Sequence, residues 1–322
     1  MECIQERIEK KMENQGMIQS VLREVKKVII GKDDIIVKTF MAFLAKGHIL
    51  IEDIPGVGKT TLAIAFSRAL SLENKRMQFT PDVMPSDVIG FHILNREKEM
   101  EYREGAIFTN IFLADEINRT SSKTQSALLE VMEEGKVTVD GITRMVPEPF
   151  IVIATQNPVG SAGTQRLPES QLDRFMVRLS MGYPDITSEI RILKSKEECN
   201  PMELINGIMN SELLCEMQKQ CEGVFIHDTV YQYIADLIVA TRNNKWLELG
   251  TSPRGTIALT RMARASAYLN GRDYVTPQDV QYVYKDVVCH RLVLNTRAKI
   301  EQVTEVKVVD EILAAVRAPK IG

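Results

Sequence analysis

The sequence predicts an α/β domain in the first part of the chain and an all-α domain in the second. Short apolar runs of strand length alternate with helical patterns as far as residue 180. A glycine-rich loop joins one of these runs to a helix, and beyond residue 185 the strand pattern stops. With 322 residues, of which 44% are hydrophobic and 26% charged, the chain is long enough for two globular domains.

Composition and charge narrow the classes of function. The net charge is −3 and no run of lysine and arginine stands out, so we expect no dedicated nucleic-acid surface. The first eleven residues contain no signal-peptide core, and the apolar window 35–51 is interrupted by Lys38, Lys46 and His48, so we expect neither export nor membrane insertion. An odd number of cysteines without a C-x-x-C pair suits a reducing cytoplasm: Cys3, Cys199, Cys215, Cys221 and Cys289.

Residues 4–28 carry apolar positions at helical spacing and predict an amphipathic helix or helix pair. The turn that closes it contains Ile30 and Gly31. Such a turn just before a nucleotide site can wrap an adenine ring, but a plain loop after a helix is an equally good interpretation. Asp33 then opens a second helix that runs through Ala45, and Gly47 stops it.

A phosphate-binding loop follows the apolar strand 48–52. Its residues are Asp53, Pro55, Gly56, Val57, Gly58, Lys59, Thr60 and Thr61, and a helical pattern continues to residue 70. Glycines let backbone N–H groups turn towards an anion, and the following helix offers its positive N-terminus. Lys59 can reach the β- and γ-phosphates, and the Thr60 hydroxyl can hold Mg²⁺.

The loop departs from the usual pattern G-x-x-x-x-G-K-[ST] at one position. Gly58, Lys59 and Thr60 match it, whereas Asp53 stands where the first glycine is expected. A carboxylate that pointed at bound phosphates would be repelled. We therefore expect the Asp53 side chain to face out or to cap the loop.

Two adjacent acids follow the next buried strand. Residues 76–80 predict a second strand, residues 91–105 a charged insertion with a small hairpin, and residues 111–114 an apolar strand that ends at Asp115 and Glu116. Ligands of open α/β sheets bind at the carboxyl ends of the strands. Asp115 would hold Mg²⁺ through water, and Glu116 would orient and deprotonate the attacking water.

A polar residue ends the next core strand at the same edge of the sheet. A helix over 120–134 and a β-hairpin over 136–145, with the turn Asp140-Gly141, precede the strand 150–154. Asn157 lies just beyond that strand and can polarise the water or touch the γ-phosphate. Taken alone, Asn157 would be an ordinary loop residue before a proline.

Two arginines are candidates for contact with the phosphate. Arg174 precedes the last strand, 176–180, and can act as an arginine finger, most simply on a neighbouring subunit. Without that context, a surface ion pair with Asp173 is the ordinary interpretation. Arg254 follows Ser252-Pro253 at the start of a helix through Leu269, where a cation does not favour the helix and an anionic partner would explain it.

These motifs resemble the MoxR family of AAA+ ATPases over nearly the whole chain. The segments that carry the resemblance are 78–82 (QFTPD), 85–87 (PSD), 113–119 (LADEINR), 123–130 (KTQSALLE), 167–169 (LPE), 171–175 (QLDRF) and 252–254 (SPR). The resemblance implies a five-stranded parallel αβα domain over residues 1–185, a helical linker over 186–222 and a helical lid over 223–322.

The resemblance also implies an activity and roles for single residues. It implies an ATPase that uses ATP and Mg²⁺ in a ring, usually hexameric, with nucleotide at the subunit interfaces. The implied roles are Walker A for Lys59 and Thr60, Walker B for Asp115 and Glu116, sensor 1 for Asn157, finger for Arg174 and sensor 2 for Arg254. Whether Arg254 serves its own site or the next subunit's stays open. Relatives act as chaperone-like motors, often with a partner that carries a von Willebrand factor A domain.

Two other classes of protein share this machinery. A nucleic-acid motor would need basic hairpins, but residues 91–105 balance arginine and lysine with glutamate, and residues 136–145 offer only Lys136 and Arg144. A guanine-nucleotide switch would need an N-K-x-D motif, and neither Asn-Lys pair, at 74–75 or 244–245, continues in that way. The sequence therefore favours a remodelling ring and leaves the nucleic-acid motor as the alternative.

Overall fold

The computed structural model describes residues 2–54, 56–157, 167–198 and 201–320; side chains are described from residue 11 onwards, except for 196–198. The first part of the chain contains α1 (Glu2–Lys26), α2 (Asp33–Leu44), β1 (Ile49–Glu52), α3 (Lys59–Ala69), β2 (Asn74–Gln78), α4 (Pro85–Ile89), β3 (Gly90–Leu94), β4 (Met100–Glu104), β5 (Ile111–Asp115), a 3-10 turn (Ile117–Arg119), α5 (Ser122–Glu134), β6 (Lys136–Val139), β7 (Ile142–Met145), β8 (Ile151–Gln156), α6 (Glu169–Leu172) and β9 (Val177–Leu179).

Within the described residues, a five-stranded parallel sheet has the order β2-β5-β8-β1-β9. Alternate residues of its central strands face opposite sides. Ile49, Ile51 and Ile153 belong to the hydrophobic cluster with α1, α2 and α3, whereas Leu50 and Val152 belong to the cluster with α4 and α5. Both faces are therefore buried, which explains why β5 and β8 are near-continuous apolar runs. The predicted αβα fold class is confirmed.

The boundaries of several elements differ from the sequence prediction. The N-terminal segment is one continuous helix, α1, which is the first of the two alternatives that the sequence left open. Strand β2 begins and ends two residues before the predicted 76–80, because it is an edge strand with mostly exposed side chains and no apolar pattern to mark its ends. A 3-10 turn lies just before the predicted helix 120–134, and the helix itself begins two residues later than predicted, at Ser122 after the N-cap Ser121.

The hairpins β3–β4 and β6–β7 both occur where the sequence predicts them, and they contact each other. His92 Nδ1 lies 2.7 Å from Asp140 Oδ2. The Arg144 guanidinium stacks over the ring of Tyr102, 3.7 Å from the ring centroid. The two hairpins are therefore joined by direct side-chain contacts.

The second part of the chain is almost wholly helical, as predicted. It contains α7 (Ile186–Glu198), a 3-10 turn (Pro201–Leu204), α8 (Ser211–Glu222), α9 (Asp228–Arg242), β10 (Leu247–Leu249), α10 (Pro253–Leu269), α11 (Pro277–Val288), a 3-10 turn (Cys289–Arg291), β11 (Val293–Leu294), α12 (Thr296–Ile300) and α13 (Glu305–Ala315). The short strands β10 and β11 pair with each other and were not expected. Among the helices of the described ranges, none has the length and apolar composition that crossing a membrane requires.

Candidate active site

The predicted phosphate loop connects the carboxyl end of β1 to the first residue of α3. Gly56 and Gly58 have φ angles of +86° and +95°, which side-chain-bearing residues rarely adopt. Gly56 is exposed, whereas Val57, Thr60 and Thr61 are half-buried, so the loop is open to solvent on one side. Pro55 lies outside the described residues.

Lys59 is a buried cation at the N-terminus of α3. Only 8% of the residue is exposed, and its Nζ donates a hydrogen bond of 2.7 Å to the backbone carbonyl of Asp53. Burial lowers the pKa of Lys59, against the attraction of Asp53, Asp115 and Glu116. A neutral carbonyl compensates a buried charge only in part, so the site favours an added anion. A phosphate group of a nucleotide fits this requirement.

Asp53 is buried, and its carboxylate turns away from the loop. Its Oδ1 accepts a hydrogen bond from the backbone N–H of Ile54 at 2.9 Å. Its Oδ2 accepts from the backbone N–H of Gly182 at 2.6 Å and from the Ser180 hydroxyl at 3.1 Å. The side chain therefore caps the start of the loop and ties it to the segment after β9.

Asp115 and Glu116 lie at the carboxyl end of β5 and are linked through Thr155. The Thr155 hydroxyl donates to Asp115 Oδ1 and accepts from the backbone N–H of Glu116, both at 2.9 Å. Arg76 Nε donates to Asp115 Oδ2 at 2.8 Å. Glu116 has φ +55° and ψ +48°, a left-handed conformation that is strained for a residue with a side chain.

Glu116 is held by two donors. Asn157 Nδ2 donates to Oε1 at 3.1 Å, and Arg119 Nη1 donates to Oε2 at 2.7 Å. The hydrogen bond from Arg119 is the main cause of a lowered pKa of Glu116, which Asn157 and Lys59 lower further against burial. Glu116 is therefore an ionised, oriented carboxylate beside the residue predicted to sense the γ-phosphate.

The turn with Ile30 and Gly31 adjoins the same region. Gly31 has φ +72°, and an added Cβ would lie 2.1 Å from the Ser188 hydroxyl, so both conformation and space require glycine. Lys32 Nζ donates to the backbone carbonyl of Tyr183 at 2.8 Å. The turn thus packs on the segment after β9 that also binds Asp53.

Arg174 and Arg254 converge on one carboxylate, that of Glu133. Arg174 Nη1 lies 3.0 Å from Glu133 Oε2 and donates to the backbone carbonyl of Leu129 at 2.8 Å. Arg254 Nη2 donates to Glu133 Oε1. Arg174 is thus paired with Glu133 rather than with the Asp173 of the ordinary interpretation; Asp173 pairs with Arg291 instead.

These arginines lie at the amino ends of the strands, whereas the phosphate loop lies at the carboxyl ends. Arg174 comes just before the amino end of β9, where Met176 N donates to the carbonyl of His48, the residue before β1. The loop, by contrast, follows the carboxyl end of β1. The four residues of β1 span about 13 Å, so both arginines lie away from the phosphate loop of their own chain in this arrangement.

The residues at the carboxyl edge fit a magnesium nucleotide. The loop offers backbone N–H groups and a buried lysine for phosphates, and the Thr60 hydroxyl and Asp115 carboxylate are oxygen ligands of the kind that Mg²⁺ prefers. Sequence reasoning missed Thr155, Arg119 and Glu133. The spacing of three between Glu116 and Arg119 could have indicated their pairing, whereas the contacts of Thr155 and Glu133 depend on the fold.

Comparison with known proteins gives consistent matches. Residues 48–177 match the family model "ATPase family associated with various cellular activities (AAA)", and residues 239–312 match "AAA lid domain". YeaC of Bacillus subtilis is 46% identical over 94% of this chain and 95% of its own length. Chaperone MoxR1 of Mycobacterium tuberculosis is 37% identical over 95% of this chain and 83% of its own. A crystal structure of an ATPase candidate from Cytophaga hutchinsonii superposes with a TM-score of 0.92 at 36% identity, covering 98% of this chain and 99% of the other.

Proposed function

The chain belongs to the MoxR family of AAA+ ATPases, and on that premise we propose that it hydrolyses ATP to ADP and phosphate at sites shared between two copies. One observation supports a site shared between two copies. Lys59 lies at the carboxyl ends of the strands, whereas Arg174 and Arg254 lie at the amino ends. A site whose lysine is separated from Arg174 and Arg254 of its own chain is completed when a neighbouring subunit presents its own Arg174 and Arg254. Repetition of this contact closes a ring, which we propose to be a hexamer.

Each residue of the site has one task in this proposal. Lys59 and the loop N–H groups bind the phosphates, and Thr60 and Asp115 would hold Mg²⁺, which neutralises the charge of the phosphates when bound. Glu116, kept ionised by Arg119 and oriented by Asn157, accepts the proton of the attacking water.

The neighbour's Arg174 and Arg254 would stabilise the charge that develops on the γ-phosphate. An arginine finger contributes roughly 10³- to 10⁵-fold in rate. The position of Arg254 beside Arg174, on the same carboxylate, favours action on the neighbouring subunit over action on its own site.

We propose that the work done is the remodelling of a protein client, through a partner with a von Willebrand factor A domain. The exposed large hydrophobic residues of the two hairpins support a protein client over a nucleic acid: Phe91, Leu94, Met100, Ile142 and Met145. The nucleic-acid motor has no comparable support. The cytoplasmic location stays a prediction from cysteine usage.

The first test isolates hydrolysis from binding. We expect Glu116→Gln to bind ATP as the wild type does and to lose about 10²- to 10⁴-fold in kcat, because the base is removed while the lysine and loop remain. Binding is measured by calorimetry and turnover by phosphate release. Turnover at the wild-type rate would remove Glu116 from this role.

The second test addresses the sharing of sites. An Arg174→Ala subunit should hydrolyse ATP poorly and regain activity when mixed with a Lys59→Ala subunit, which donates its arginines but does not bind ATP. Arg297→Ala, an exposed arginine paired with Glu301 in the lid, is the control that should need no rescue. Absence of rescue at every mixing ratio would contradict action on a neighbour.

A further inference from the structure

Arg291 is a buried arginine at the contact between the lid and the sheet domain, and the mechanism above does not use it. It ends the 3-10 turn after α11, and 2% of its side chain is exposed. Its Nε donates to Asp173 Oδ1 at 2.9 Å. Burial lowers the pKa of Arg291 to about 10, so the guanidinium stays charged at neutral pH and its charge is balanced by Asp173.

The Arg291 guanidinium fixes the backbone on both sides of Arg174. Its Nη2 donates to the carbonyls of Asp173 at 3.2 Å and Phe175 at 2.6 Å, and its Nη1 donates to the carbonyl of Met176 at 3.3 Å. A planar group with several donors in fixed directions can satisfy these carbonyls together. The segment that carries the finger is therefore anchored by a residue of the lid.

Asp173 extends this anchor to Arg254. The Ser252 hydroxyl donates to the Asp173 carboxylate, at 2.9 Å from Oδ1 and 2.8 Å from Oδ2, and accepts from the backbone N–H of Gly255 at 3.2 Å as the N-cap of α10. Arg254 is the second residue of that helix. An added Cβ at Gly255 would lie 2.8 Å from Arg291 Cδ, so the glycine lets the first turn of α10 pack directly on Arg291.

We propose that Arg291 is a positioning residue that holds Arg174 and Arg254 as one unit for the neighbouring subunit's phosphate. This inference rests on the proposed sharing of sites. Because Arg291 is buried, it acts through the segments 173–176 and 252–255. Movement of the lid would then move both arginines together, and lid position would control whether the neighbour's site is complete.

The kinetic test uses Arg174→Ala/Arg254→Ala subunits as acceptors and Lys59→Ala subunits as arginine donors. We compare the Lys59→Ala donor with donors that also carry Arg291→Lys or Arg272→Lys. Lysine keeps the charge but lacks the planar guanidinium with its several fixed donors. The Arg291→Lys donor should therefore stimulate kcat per acceptor site about 10- to 100-fold less at saturating donor. Arg272, paired with Asp279 at 2.6 Å within the lid, is the matched control and should stimulate fully.

The plateau and the midpoint of the donor titration separate positioning from assembly. An effect on assembly alone would raise the donor concentration needed for half-maximal stimulation without lowering the kcat per acceptor site at saturating donor. A plateau for Arg291→Lys equal to that of the parent donor would overturn the proposal.

Hydrogen exchange tests the positioning without reference to hydrolysis. In the full chain, Arg291→Lys should raise amide exchange by about tenfold in peptides 169–177 and 250–257, because the anchored backbone is released. Ser252→Ala, which cuts only the link to α10, should raise exchange in 250–257 alone. Thr304→Ala, which removes a similar N-cap hydroxyl from α13, is the control. Wild-type exchange in both peptides of Arg291→Lys would overturn the proposal even if arginine donation itself failed.

Discussion

Restoring the usual glycine at the first position of the phosphate loop should damage this protein. Asp53→Gly makes the loop match the common pattern, but it removes a carboxylate that is 7% exposed and accepts three hydrogen bonds. Two of the donors are the backbone N–H groups of Ile54 and Gly182, and the third is the Ser180 hydroxyl. The hydroxyl can turn to water, whereas the N–H groups are fixed in direction.

The size of the effect follows from these contacts. Each N–H group that loses its acceptor costs about 1–3 kcal/mol, and the added glycine costs a further ~0.5–1 kcal/mol in backbone entropy. The free energy of unfolding should therefore fall by about 4 kcal/mol. With an unfolding entropy of about 2.1 cal/mol/K per residue, a chain of 322 residues should melt about 6 °C lower. Asp53→Asn keeps one acceptor but turns its NH₂ group towards a donor, so it should lie between Asp53→Gly and the wild type.

Thermal unfolding, followed by circular dichroism, measures the melting temperatures of Asp53→Gly, Asp53→Asn and the wild type. Asp82→Gly is the matched control, because it makes the same exchange at an exposed turn position. It should cost only the ~0.5–1 kcal/mol of the added glycine and lower the melting temperature by about 1 °C. The Asp53 carbonyl that binds Lys59 belongs to the backbone and survives the substitution. An Asp53→Gly protein as stable as the wild type would show that the three hydrogen bonds contribute nothing, and the reasoning would be wrong.

Two further predictions concern pH. Arg119→Ala removes the main cause of the lowered pKa of Glu116, so Glu116 should become protonated at a higher pH. The acid limb of the profile of kcat against pH should therefore move to higher pH. An unmoved acid limb would count against Glu116 as the base. His48 is buried between the Met132 carbonyl at 2.8 Å and the Val152 N–H at 3.0 Å, and burial lowers its pKa from 6.5 to about 4. The neutral imidazole therefore contributes stability that is fully present above pH 6.5 and is lost as the pH falls towards 4, about 3 kcal/mol in all. His48→Gln should flatten this dependence of the free energy of unfolding on pH, measured by urea titration. The same dependence on pH in the variant and the wild type would contradict the prediction.

A part of the site could be predicted from the sequence when residues close together in the chain encode it. The strand-loop-helix around Lys59 and the acids after β5 could be predicted because strand ends, glycines and a helix start are encoded by neighbouring residues. The alternation of strands and helices followed from the same apolar periods, whereas the five-stranded αβα architecture was implied by the family resemblance. Strand β2 was displaced in the prediction because an edge strand with exposed side chains carries little of that period.

The sequence by itself determined the chemistry available to this protein: a loop for phosphates, oxygen ligands for magnesium, a base after β5 and two arginines. Only the tertiary structure decided where these groups stand. Asp53 binds residues more than a hundred positions later in the chain, and Glu133 gathers Arg174 and Arg254 from two different domains at the edge away from Lys59. Such contacts follow from how the lid packs on the sheet, which depends on the burial of many apolar residues at once and on no local pattern.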